Sequence, residues 1–160
     1  MKAFSRFTFV IIFIILTQAS CKKPDHGPDI TVNNQLSKNP WRLSAVTISP
    51  ALNGSTDFYN QSMLPCERDN IFNFSQAYQL FSVDPGTSVC GSGDPQAIRE
   101  DAFGGWSFDP NNSILAISIA MPVPLNVNMT IIQINGNSFT GKTTEVISGI
   151  TYTKTWMFSL

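Results

Sequence analysis

Beyond residue 40 the apolar side chains recur at every second position, in short runs punctuated by Gly, Asn, Asp and Pro. Alternation with that punctuation is the signature of half-buried strands joined in hairpins. Trp41–Ile48 is the first predicted strand. Asn70–Phe74 is the second, with Phe72 and Phe74 on one face, and Tyr78–Phe81 follows across the short turn Ser75-Gln76-Ala77. Gly104–Phe108 sets Trp106 and Phe108 on one side, ahead of a turn at Asp109-Pro110-Asn111-Asn112. Ser113–Ala120 alternates Leu115, Ile117 and Ile119 against Ala116 and Ser118. Asn126–Asn135 runs into Asn135-Gly136-Asn137, Ser138–Val146 into Ser148-Gly149, and Thr151–Leu160 closes the chain.

These are about eight strands, joined mostly in sequence order. An antiparallel meander exposes two unpaired edges, and closing the sheet removes them. The expected fold class is all-β, an antiparallel up-and-down eight-stranded barrel. A two-sheet β-sandwich of similar length is the alternative. Long segments at 49–69 and 83–102 interrupt the meander, and Thr56–Leu64 could include a short helical turn.

The first forty residues do not share this pattern. Lys2 and Arg6 precede an apolar run from Phe7 to Leu16, broken only by Thr8, and Thr17–Ser20 is a short exit before Cys21. That is a secretory signal pattern over residues 1–20, too short to span a bilayer, which takes about 20 apolar residues. Ala19-Ser20-Cys21 resembles a bacterial lipobox, with Gln18 departing from the usual Leu. The resemblance implies cleavage before Cys21 and lipidation of its thiol. Acyl chains add about 0.8 kcal/mol per buried methylene, so several anchor firmly. Residues 21–39 read as the lipidated cysteine and a flexible tether, punctuated by Pro24, Gly27, Pro28, Asn33 and Asn34. The folded domain is expected over 40–160.

Ten basic residues less Lys2 and Arg6 leave eight against eleven acidic, a net charge of −3. No basic field is present to hold nucleic acid. In an oxidising envelope, Cys66 and Cys90 pair as a disulfide by default, stapling the two long segments at one end of the barrel. Two free thiols or a metal pair are the competing readings, and the metal pair lacks third and fourth ligands nearby.

Several landmarks occur together: Trp41-Arg42-Leu43, Cys66-Glu67-Arg68-Asp69 before a Phe-rich strand, Tyr78, Cys90, Gly105-Trp106-Ser107-Phe108 and a closing Thr-rich strand. Over roughly Asn39–Leu160 this order resembles the lipocalin-like lipoproteins of the Bacteroidota. The resemblance implies an eight-stranded barrel with an internal cavity or a packed core, and carries no catalytic residues. Asn39 stands where lipocalins place a Gly before the first-strand Trp.

Motifs that suggest chemistry mostly dissolve on inspection. Gly136–Thr143 matches the phosphate-loop pattern, but β-branched residues follow where a helix is required, so it reads as a hairpin turn with Lys142 on the outgoing strand. The only histidine, His26, lies in the tether, which argues against a histidine-based triad. Glu100-Asp101 read as a solvated loop pair, and Glu67 and Asp69 as turn caps or loop partners of Arg68. The scattered aspartates form no calcium loop. The expectation is a non-enzymatic protein without metal or cofactor.

The aromatic set is the best binding candidate. Trp41, Phe72, Phe74, Trp106, Phe108, Tyr152 and Trp156 are assigned to a candidate cavity, together with Lys154, which strict alternation places on their face. A lysine there is costly unless paired or wet, so a bulge or a stem reaching the barrel mouth is the competing arrangement. The functional expectation is a lipoprotein of the cell envelope, lipid-anchored to the outer membrane on its periplasmic or outer side. Its ligand would be a small apolar or amphipathic molecule. The alternative is a structural or interaction subunit with a filled barrel, binding an envelope protein through its loops.

Overall fold

In the computed structural model the described residues are 30–90, 102–121 and 124–160. Among them nine strands form one sheet: β1 (Trp41–Leu52), β2 (Ser55–Asp57), β3 (Ile71–Ser75), β4 (Leu80–Asp84), β5 (Phe103–Phe108), β6 (Ile114–Met121), β7 (Leu125–Ile134), β8 (Ser138–Ile147) and β9 (Ile150–Ser159). Helices α1 (Ile30–Ser37), α2 (Phe58–Gln61) and α3 (Pro65–Arg68) complete the described elements. Every pairing is antiparallel, neighbours follow sequence order, and β1 pairs with β9 to close the ring. The result is a closed eight-stranded up-and-down barrel of the lipocalin-like type, with β2 as an extra strand on the far part of β1. The sandwich alternative is excluded by that closure.

The alternation read from the sequence is the inside–outside alternation of the wall. In β3 and β4, Phe72, Phe74, Phe81 and Val83 are buried while their neighbours face out. β1 needs a correction of parity: Trp41 and Leu43 point inward, and then so do Val46 and Ile48. A bulge in the β1–β9 register between Leu43 and Ala45 inserts the extra residue, and Ser44 Oγ donates to Met157 O across it at 2.9 Å. The core joins Trp41, Phe139, Leu115, Phe158 and the β3–β4 aromatics, with Phe139 and Phe158 stacked at 4.1 Å.

The barrel has two unlike ends. At one lie the tight turns β3–β4, β5–β6 and β7–β8. Asp109 caps the second, accepting from the amides of Ser113 and Ile114 at 2.7 Å each. Asn135 caps the third, its Oδ1 accepting from the amides of Asn137 and Ser138. Gly136–Thr143 is therefore a hairpin running into a strand, with no helix to aim amides at a phosphate.

This end is also where the tether reading over 21–39 needs correcting. Its final part is helical, and α1 is packed into the domain: Leu36 is fully buried and its carbonyl accepts from Trp41 Nε1 at 2.7 Å. Sequence propensity is poor there, because Ile, Thr and Val are β-branched and the Asn pair is a weak helix former. Tertiary burial of one leucine and one carbonyl holds what propensity does not. The signal segment 1–20, Cys21 and His26 lie outside the described residues, as do Glu100 and Asp101.

At the other end the long β2–β3 connection folds back as α2 and α3. Asp57 caps α2, its carboxylate accepting from the Asn60 amide and side chain. Pro65 opens α3, and Glu67 Oε2 accepts from the Leu64 amide at 2.7 Å, which is half of a capping box. The helical turn expected within 56–64 is α2.

Candidate functional site

The end carrying α2 and α3 opens into a cavity of about 680 Å³ running down the barrel axis. Its floor is apolar: Phe72, Phe74 and Phe81 from β3 and β4, Leu115 and Ile117 from β6, and Phe139 and Phe158 from the closing hairpin. Met129 lies along one wall, opposite Gly141, where any Cβ would collide with the Met129 sulfur. Toward the opening the inner face is mixed: Thr143 and Glu145 on β8 are polar, Ile119, Leu125 and Val127 on β6 and β7 are apolar, and Asn126, Asn128 and Thr144 border the cavity from outward-facing positions of their strands. The roof comes from the β2–β3 connection, through Phe58, Met63 and Glu67.

Lys154 sits at the transition between these zones. β8 and β9 are joined by a two-residue turn with positive φ at Ser148 and Gly149, which fixes Thr143 opposite Lys154 and Glu145 opposite Tyr152. Glu145 is thus the diagonal neighbour of Lys154 on the inner face. Lys154 Nζ lies 2.7 Å from Glu145 Oε1, the one ion pair among the described residues. The ammonium also stands 4.0 Å from the Phe58 ring centroid and 5.9 Å from that of Trp156. No bulge turns Lys154 outward; its side chain is 12% exposed against 38% for Glu145, so water reaches the pair from the Glu145 side. Trp156 is oriented by its indole N–H, which donates to Thr143 Oγ1 at 2.8 Å.

The roof is fastened at several points. Tyr59 Oη donates to Leu43 O at 3.3 Å, beside the β1 bulge. The Cys66–Cys90 disulfide ties α3 to the β4–β5 connection, with the two Cα atoms 5.2 Å apart. Asp69, just after α3, accepts through Oδ2 from the Thr87 amide and hydroxyl and the Ser88 amide, at 2.8–3.0 Å. Burial pushes the Asp69 carboxyl up. The amides of Ser88 and Thr87, the Thr87 hydroxyl and its own amide outweigh that and hold it below the ordinary 3.8. Glu67 and Asp69 are thus caps, as the sequence suggested.

Four of the eight cavity residues expected from sequence line the cavity: Phe72, Phe74, Lys154 and Trp156. The other four do not. Trp41 lies at the closed end against Phe139, its N–H committed to Leu36. Trp106 packs edge-on to Phe74 and Phe108 and donates to Ser75 O, so it and Phe108 fill the wall beside the cavity. Tyr152 is buried on the inner face but outside the cavity lining. Sequence reasoning missed the roof residues, which lie in a segment without periodicity. It also missed Glu145, which the Ser148-Gly149 turn register could have located.

No protein-family model matches the chain, and no curated protein matches it. What defines the class is therefore topology: a closed lipocalin-like barrel with one capped end and one roofed, cavity-bearing end. Among the described residues there is no cluster of three or more metal-ligating side chains. No described helix is long and apolar enough to cross a membrane.

Proposed function

We propose that this chain is a lipid-anchored, lipocalin-like lipoprotein of the cell envelope whose barrel holds one small apolar or amphipathic molecule without transforming it. The observation that carries the reading is the 680 Å³ cavity, apolar at its floor and with Thr143, Lys154 and Glu145 as a few polar groups toward its mouth. Ligand cavities typically measure about 300–1,000 Å³ and combine mostly apolar walls with a few polar groups. The signal pattern before Cys21 supports the anchor, and a thioether-linked lipid would add its own methylenes to membrane affinity. A filled barrel working only through its loops fits less well, because the interior is not filled.

The test uses residues 22–160 exported without the lipid site. Titration with the neutral fluorophore N-phenyl-1-naphthylamine should give saturable enhancement at one site per chain. Leu115→Trp, which fills the floor, should abolish it while circular dichroism stays β-rich. Absence of saturable uptake by the wild-type domain would remove the carrier reading. For the anchor, the full chain should partition into detergent and Cys21→Ser should leave it in the aqueous phase.

A further inference from the structure

We infer that the cavity selects an amphipathic molecule whose polar end is neutral or cationic, and discriminates against carboxylate amphiphiles such as free fatty acids. The inference rests on the carrier reading and adds the charge of the ligand's head. A lysine at a barrel mouth invites the opposite assignment, an anion clamp. The geometry opposes it. Lys154 is already neutralised by Glu145 at 2.7 Å, and its remaining surface faces the Phe58 and Trp156 rings. A second carboxylate, Glu67, lines the same cavity and is buried, with one oxygen taken by the Leu64 amide. Among the described lining residues the charged side chains are therefore Lys154, Glu145 and Glu67, which sum to one negative charge.

An incoming carboxylate must share or detach Lys154, leaving Glu145 uncompensated in a partly desolvated site that also holds the carboxylate of Glu67, where removing one partner of a close pair is strongly unfavourable. A hydroxyl or amide head needs no such exchange, because the Thr143 hydroxyl stands on the inner face opposite Lys154, with a proton to donate while its oxygen accepts from Trp156. An ammonium head adds attraction to the two carboxylates. Lys154 acts as an internal counter-charge that also clasps Phe58 of α2 to the barrel rim.

Three probes with one tail isolate the head: dodecylamine, dodecanol and dodecanoate, each below its aggregation concentration at pH 7, competing with N-phenyl-1-naphthylamine on the exported domain. Dodecylamine and dodecanol should displace the fluorophore at least about tenfold more tightly than dodecanoate. Glu145→Gln frees Lys154 and should move the amine-to-carboxylate affinity ratio toward the carboxylate by at least about tenfold. Glu67→Gln, which keeps an oxygen for the Leu64 amide, should shift the ratio in the same direction and covers the case in which the first variant misfolds. Dodecanoate binding as tightly as dodecylamine, or ratios unmoved in both variants, would overturn the selectivity while leaving the carrier reading intact. If dodecanol and the fluorophore both fail to bind, the carrier reading falls and this inference falls with it.

Discussion

At the scale of single residues, the most consequential contact is that between Leu36 and Trp41. The Trp41 indole is buried at the closed end, and its N–H has one acceptor, the Leu36 carbonyl. Replacing Trp41 with Phe leaves that carbonyl buried and unpaired, which costs about 1–3 kcal/mol before any loss of packing. Leu36→Ala is expected to cost about 2–5 kcal/mol, the range for emptying a fully buried leucine site. Urea denaturation followed by tryptophan fluorescence measures both. An unchanged midpoint for Leu36→Ala would show that α1 is not part of the cooperative unit. Trp41 was legible from sequence as a buried aromatic and not as a residue of the closed end, because alternation gives the face of a strand and not the depth along it. Lys154 was legible in the same way. Its inward parity follows from period two, while its pairing depends on a diagonal neighbour on the next strand.

At the scale of elements, the roof is set apart from the wall. Wall strands carry their own signal, and all eight of them lie within a few residues of where alternation puts them. The roof does not: α2 and α3 are four residues each, too short for a helical period, and exist because caps and tertiary ties hold them. The strand β2 was overlooked for the same reason, although Asn53-Gly54, both at positive φ, is a strong hairpin signal. Two predictions concern the ties. The disulfide closes a loop with a sequence separation of 24, so the Cys66→Ser, Cys90→Ser double variant should lose roughly 3 kcal/mol, read as a lower urea midpoint with unchanged β-rich circular dichroism. The Asp69 carboxyl is depressed in the folded chain, so its stabilisation is present above the ordinary 3.8 and is lost as pH falls through the lower folded value. Amide exchange at Thr87 and Ser88 should therefore accelerate in that acid window, relative to the β8–β9 hairpin. Asp69→Asn should remove that pH step, and a step that survives the substitution would assign it to another carboxylate.

At the scale of the whole molecule, closure and emptiness are linked. Eight strands give an interior just wide enough for side chains to fill or for one small ligand to occupy. Here the aromatics divide that interior, Phe139 stacking on Phe158 and meeting Trp41 edge-on toward the closed end, while the mouth stays open with a few polar groups, Thr143, Lys154 and Glu145, among apolar neighbours. The eight-strand count and the closure were legible because unpaired edges are unfavourable and most connections are short, the segments 49–69 and 83–102 excepted. The uneven filling was not, since it depends on which end each inward residue reaches. An open cavity forfeits packing that a ligand can restore, so occupancy should appear as stability. A ligand at 100 times its dissociation constant adds about 2.7 kcal/mol. For a domain of this size that corresponds to roughly 10 °C in Tm, taking about 4 °C per kcal/mol. Dodecanol titrated into the exported domain should raise the melting temperature by that order, with a concentration dependence matching its displacement of the fluorophore. Leu115→Trp should show no such shift, because the added indole occupies the volume the ligand would take. A shift of equal size in that variant would locate the binding outside the barrel, on the roof or the outer wall.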